Sequence, residues 1–179
     1  MINYHKFIIP QTIILLSIIT ITNIHNKFIT IQEKLVRYHE IDKIASEFQE
    51  ENHNLSLQKA RFISGSLIQY ASDYKVRPRL LIALIKVESE ADPKCLSNKG
   101  AVGIMQITKQ TAADFINQGE DLMDIDVNIR IGTQILSRLI NIYGERGALV
   151  RYLCGENNKK AFNCKLAKEY VKQIEELSQ

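Results

Sequence analysis

The chain has 179 residues, 45% hydrophobic and 24% charged, and 23 Lys and Arg against 20 Asp and Glu leave a net charge of +3. That composition excludes a disordered chain and a polytopic membrane protein, and so small an excess, without a run of five basic residues, sets nucleic-acid binding aside. Three prolines, eight glycines and no tryptophan, with Ile- and Leu-rich stretches broken by Lys and Glu, read as mainly helical.

His5 and Lys6 precede an apolar stretch over residues 7–24, interrupted by Pro10 and Gln11 and densest over 12–21. A dense part of about ten residues suits the roughly 7 to 15 of an export signal and falls short of the roughly 20 that span a bilayer. The expectation is export to the periplasm. Residues 1–24 are then either a cleaved signal or an inner-membrane tether, since Thr20-Ile21-Thr22 is a poor small-x-small cleavage site. No cysteine near this segment suggests a lipid anchor.

Phe28, Ile31, Leu35, Tyr38, Ile41, Ile44 and Phe48 recur at spacings of three and four, which predicts an amphipathic helix holding a domain off the membrane. The polar run Glu50-Glu51-Asn52-His53-Asn54 is taken as the boundary between this linker, residues 25–54, and one domain, residues 55–179. Within the domain a helix is expected over 55–74. Pro78, well tolerated in a first turn, opens another that continues to Glu90. Gly100 and Gly103 argue for a tight loop or short hairpin over 97–108. Thr108 or Thr111 can cap a helix to Asn117, and Asp124 or Asp126 a long one ending at Gly144. Residues 147–153 and 160–177 complete the helices.

Cys154 and Cys164, ten positions apart, could close a loop worth roughly 2 to 3 kcal/mol in an oxidising compartment, leaving Cys95 over. His5, His25, His39 and His53 all precede the domain, and no zinc spacing is present, so neither metal nor cofactor is expected.

The chemistry points to the helix opened by Pro78. Leu81, Leu84 and Ile85 form its core stripe, and the next position of that stripe, four after Leu84, is Glu88. Partial burial raises a carboxyl pKa, as a general acid near neutral pH requires. The plain alternative is a helix-end glutamate paired with Lys86. Nine residues after Glu88 comes Ser97, then Gly100-Ala101-Val102-Gly103-Ile104-Met105-Gln106.

Glu88-Ser89, Ser97, the Gly-Ala-x-Gly-hydrophobic-Met-Gln run, Thr111-Ala112, Asn128-Ile129 with Gly132, Tyr152 with Gly155, and Tyr170-Val171 stand in the order found in one enzyme family. Over residues 55–174 the chain resembles the catalytic domain of soluble-lytic-transglycosylase type, related in fold to goose-type lysozyme. Two departures stand out: Leu153 replaces an asparagine, and Thr108 and Lys109 stand where Met and Pro are frequent. The resemblance implies an all-α, lysozyme-like domain whose groove is floored by the Glu88 helix and lined by the 100–106 loop. It implies cleavage of the β-1,4 bond between N-acetylmuramic acid and N-acetylglucosamine in peptidoglycan, with a 1,6-anhydro product. Glu88 is then the single acid and base. Tyr152 is expected to orient it, Ser97 and Gln106 to hold glycan and acetamido groups, Met105 to wall the sugar site, and Ser89 to bind sugar or cap backbone.

Two other readings stay open. In a lysozyme-like hydrolase a second acid such as Asp92 would assist Glu88, since ordinary glycosidases need two carboxylates. Glu90 is a poor second acid, about 200° around the helix. In a weakly active wall-binding subunit of a secretion or conjugation apparatus, the helix over 28–48 and Leu153 would matter more than catalysis.

Overall fold

Helix α1 (Gln11–Glu51) is followed by α2 (Leu57–Asp73), α3 (Pro78–Ser89), strands β1 (Ala101–Val102) and β2 (Ile107–Thr108), α4 (Lys109–Ala112), α5 (Ile125–Cys154) and α6 (Lys165–Leu177). They are seen in a computed structural model that describes residues 11–155 and 165–179. The chain divides into two packing units, one up to Glu40 and one from Ile41 onward.

In the first unit α1 exposes Leu16, Ile21, Ile24, Phe28, Leu35 and Val36. Its threonines satisfy themselves locally: Thr20, Thr22 and Thr30 each donate to the carbonyl four residues back. Among the described residues no helix is long and apolar enough to cross a membrane. The stretch expected as signal or tether begins at Phe7, outside the described residues.

The second unit opens with the last turns of α1, which bury Ile44, Ala45 and Phe48. This places residues 41–54, expected to be linker, within the packed unit. Ser56 caps α2 by accepting from Lys59 N at 3.3 Å, and α2 buries Ala60, Ile63, Leu67 and Ala71. Pro78 starts α3, in which every side chain from Leu80 to Ile85 is buried. A helix apolar all round belongs in the middle of a domain, and α3 lies against both α2 and α6, while α5 packs on α2 and α6. Asp126 fixes the α2–α5 pairing, accepting from Ser66 Oγ and Tyr70 Oη, each at 2.6 Å.

The segment over 97–108 forms the short-hairpin alternative. β1 and β2 are antiparallel, with Ala101 opposite Thr108 and Val102 opposite Ile107. α4 is shorter than expected. Beyond Ala112 the chain continues only as a turn, in which Phe115 N and Ile116 N share Ala112 O, and Asn117 N is taken by Glu120 Oε2. Asp124 caps α5, accepting from Asp126 N and Val127 N. The two helices expected on either side of Gly144 form one span with a break there, at φ 69° and ψ 169°. Residues 160–164, the expected start of the last helix, lie outside the described residues.

Candidate active site

Glu88 occupies the last turn of α3, immediately after its buried stretch. The helix stops where it does because Glu90 and Ala91 both turn left-handed, at φ 51° and 56°. Two successive non-glycine residues in that region are strained. Ala91 is fully buried, and Asp92 N closes the turn on Ser89 O at 2.9 Å.

The partner of Glu88 comes from 82 residues away. Tyr170, on the buried stripe Ala167, Tyr170, Val171 and Ile174 of α6, donates its hydroxyl to Glu88 Oε1. Burial pushes the Glu88 carboxyl up to about 6, against the lowering effect of that hydrogen bond. Burial and the nearby Glu88 charge hold the Tyr170 phenol well above its ordinary value, so it stays a donor. The site therefore contains an acid half-protonated near pH 6 and aimed by a buried phenol.

Tyr152, expected to bond to or orient Glu88, instead donates to Met105 O at 2.9 Å. Helix periodicity cannot say which of two downstream tyrosines reaches a given carboxylate. Tyr170 stands at a core position of a three-and-four pattern, which marks it for burial but does not name its partner. Burial first and Glu88 second raise the Tyr152 phenol as well, so it belongs to the same electrostatic neighbourhood.

The other expected contacts are engaged by the protein itself. Ser89 is buried and its hydroxyl faces Ile85 O at 3.1 Å and Ile104 O at 2.7 Å, tying α3 to the loop through the backbone contact that was the alternative to a sugar contact. Ser97 Oγ accepts from Ala101 N and Lys99 N in a turn. Met105 is fully buried against Gly132, where an added Cβ would sit 2.5 Å from Met105 Sδ. A side chain so placed is part of the core. Gln106, at φ 49°, spends its amide donors on Cys95 O at 3.1 Å and Gly103 O at 3.0 Å. Asn128, quoted above without a role, braces the loop: its Oδ1 accepts from Met105 N, and its Nδ2 donates to Val102 O and Leu122 O.

Beside Glu88 lies a cleft of about 580 Å³. It is lined by Val87, Glu88, Ser89, Glu90, Asp92 and Cys95 together with residues 51–54. The 100–106 loop, expected to line the groove, does not contribute to this lining. Asp92 does, with Oδ1 accepting from Lys94 N at 2.9 Å. The expected Cys154–Cys164 pairing involves Cys164, which lies outside the described residues. Among the described residues no three His, Cys, Asp or Glu side chains come together as a metal site.

Residues 65–174 match the transglycosylase SLT domain family. Among solved structures, the chain is similar to an inactive glutamate-to-glutamine variant of the lytic transglycosylase Slt from Pseudomonas aeruginosa, with a TM-score of 0.54 and 22% identity. That similarity covers 63% of this chain and 22% of the other, so the chain spans about a fifth of that protein's length. At this identity the likeness shows a shared fold.

Proposed function

The chain belongs to the transglycosylase SLT domain family, with the lysozyme-like helical fold of that domain, and from this premise we propose that it is a peptidoglycan lytic transglycosylase with Glu88 as acid and base. The observation that carries the reading is the half-buried Glu88 carboxyl, raised to about 6 and hydrogen-bonded by Tyr170. A raised carboxyl is protonated at the start of a cycle and can donate to the glycosidic oxygen between N-acetylmuramic acid and N-acetylglucosamine as that bond breaks. The substrate's own 2-acetamido oxygen attacks the anomeric carbon, so no second protein carboxylate is needed. Glu88, now ionised, takes the proton of the muramoyl 6-hydroxyl as that oxygen displaces the acetamido group. The product is a 1,6-anhydro sugar, no water is consumed, and Glu88 ends protonated as it began. Tyr170 steadies the ionised intermediate state by donating to it.

The test is mass spectrometry of the fragments released from purified peptidoglycan by the protein and by Glu88→Gln. Fragments ending in 1,6-anhydro-muramic acid, from the first alone, are expected. Reducing ends would replace the reading by a hydrolase, which the position of Asp92 in the same cleft favours as the second choice. Absence of fragments from a folded protein would leave a wall-binding subunit of a secretion or conjugation apparatus, for which the exposed apolar side chains of α1 speak. Because peptidoglycan lies outside the cytoplasm, the proposal includes export directed by residues 7–24. Fractionation should find the protein in the periplasm or on the outer face of the inner membrane.

A further inference from the structure

The cleft beside Glu88 has a wall that the matched family segment, which starts at residue 65, does not supply. That wall is the last residue of α1 and the turn after it, residues 51–54. It is a built platform. Phe48 below it is fully buried and Leu55 beyond it nearly so. The turn closes through Asn52 N to Phe48 O at 2.9 Å, Leu55 N to Asn52 O at 3.0 Å and Asn54 N to Asn52 Oδ1 at 3.0 Å. Gln49 Nε2 donates to Leu55 O across it, and α1 is held to α3 by Arg79 on Glu47 at 2.7 Å.

The chemistry presented by this platform follows from its hydrogen bonds. His53 Nδ1 lies 3.0 Å from Gln49 O. A carbonyl only accepts, so Nδ1 carries the proton, and in the neutral ring Nε2 is left as an acceptor. Asn54 uses its backbone N–H in the turn, and its carboxamide makes no hydrogen bond among the described residues. An acceptor beside a carboxamide, lining the same cleft as the Glu88 acid, matches the hydroxyl and N-acetyl groups of a neutral hexosamine.

We infer that His53 and Asn54 form a saccharide subsite flanking Glu88, with His53 Nε2 accepting from a sugar hydroxyl or acetamido N–H and the Asn54 carboxamide bonding the N-acetyl group. The inference rests on the glycan-cleaving reading above and adds to it two binding residues upstream of the matched segment. Neither contributes to proton transfer, so their effect lies in substrate affinity.

Binding of a peptide-free tetrasaccharide of alternating N-acetylglucosamine and N-acetylmuramic acid, measured by calorimetry, separates the two readings. The full chain carrying Glu88→Gln would be the parent, so that no turnover intervenes. Adding His53→Ala should weaken binding by about five-fold and Asn54→Ala by about three-fold, the scale of one lost hydrogen bond. His53→Gln, which keeps an acceptor at similar reach, should come back to within about two-fold of the parent. In the protein with Glu88 intact, His53→Ala should raise KM on glycan strands by a similar factor and leave kcat within about two-fold. A parent that binds the tetrasaccharide equally well with and without both alanines overturns this subsite while leaving the transglycosylase reading standing. A parent that binds no tetrasaccharide overturns both. His53 and Asn54 are exposed, so the variants should unfold at the parent's temperature.

Discussion

The acid role proposed for Glu88 carries a cost to the fold. Its carboxyl titrates near 6 in the folded protein against 4.5 for the free group, so between those values the native state holds more protons than the unfolded chain. Stability is then undiminished below about pH 4.5 and falls as pH rises through 6, by about 2 kcal/mol in all. Glu88→Gln, which still accepts from Tyr170, should therefore match the parent in melting temperature at pH 4 and exceed it at pH 8. Equal differences at both pH values would contradict a buried, raised acid. Tyr170→Phe acts in the opposite sense on the same group. Without the phenolic donor the ionised carboxylate loses support, its pKa climbs further, and the high-pH limb of kcat/KM should move upward while the maximum falls about 10-fold or more. Glu88 was legible in the sequence because a charge interrupted the stripe of Leu81, Leu84 and Ile85. Tyr170 as its partner was not, because the contact spans 82 residues and depends on how α6 settles on α3.

Elements were legible where local chemistry is decisive. Pro78 at the start of α3, the Asp124 cap of α5 and the break at Gly144 all follow from backbone rules that act within one turn. The end of α4 did not follow, because a side-chain bond from Glu120 takes Asn117 N, where the helix was expected to end. The loop between β1 and β2 depends on a distant brace. Gly103 sits at φ 77°, and a Cβ there would overlap the Asn128 carboxamide, so the glycine and the asparagine are a matched pair. Asn128→Ala removes three hydrogen bonds from a fully buried position, leaving Met105 N, Val102 O and Leu122 O unanswered. Urea denaturation should show a loss of about 3 kcal/mol or more. Asn128→Asp tests the direction of the brace: it keeps the acceptor for Met105 N but faces two carbonyls with oxygen, and should be no better than the alanine.

At the scale of the whole molecule, the packed unit is longer than the family segment within it. Ile44, Ala45, Phe48 and Leu55 all precede residue 65 and are buried. A chain beginning at Ile41 should unfold cooperatively and release the same fragments from peptidoglycan as the full chain in the test proposed above, whereas one beginning at Gly65 starts inside α2 and lacks this layer. Phe48→Ala in the full chain should cost about 3 to 5 kcal/mol, as large aromatic truncations in a core do, and measurable unfolding below the parent's temperature would check it. The polar run Glu50-Glu51-Asn52-His53-Asn54 looked like a boundary because exposed turns and domain linkers share a composition. What distinguishes them here is Phe48 and Leu55 on either side, whose burial only the tertiary fold reveals. Cys95, finally, opens onto the cleft that this layer helps to form, with burial and the carboxylates of Asp92, Glu90 and Glu88 keeping its thiol protonated. A scarce thiolate reacts slowly, at a rate set by access. The protein thus carries its own occupancy gauge: alkylation of Cys95, followed peptide by peptide, should slow in step with glycan filling the cleft.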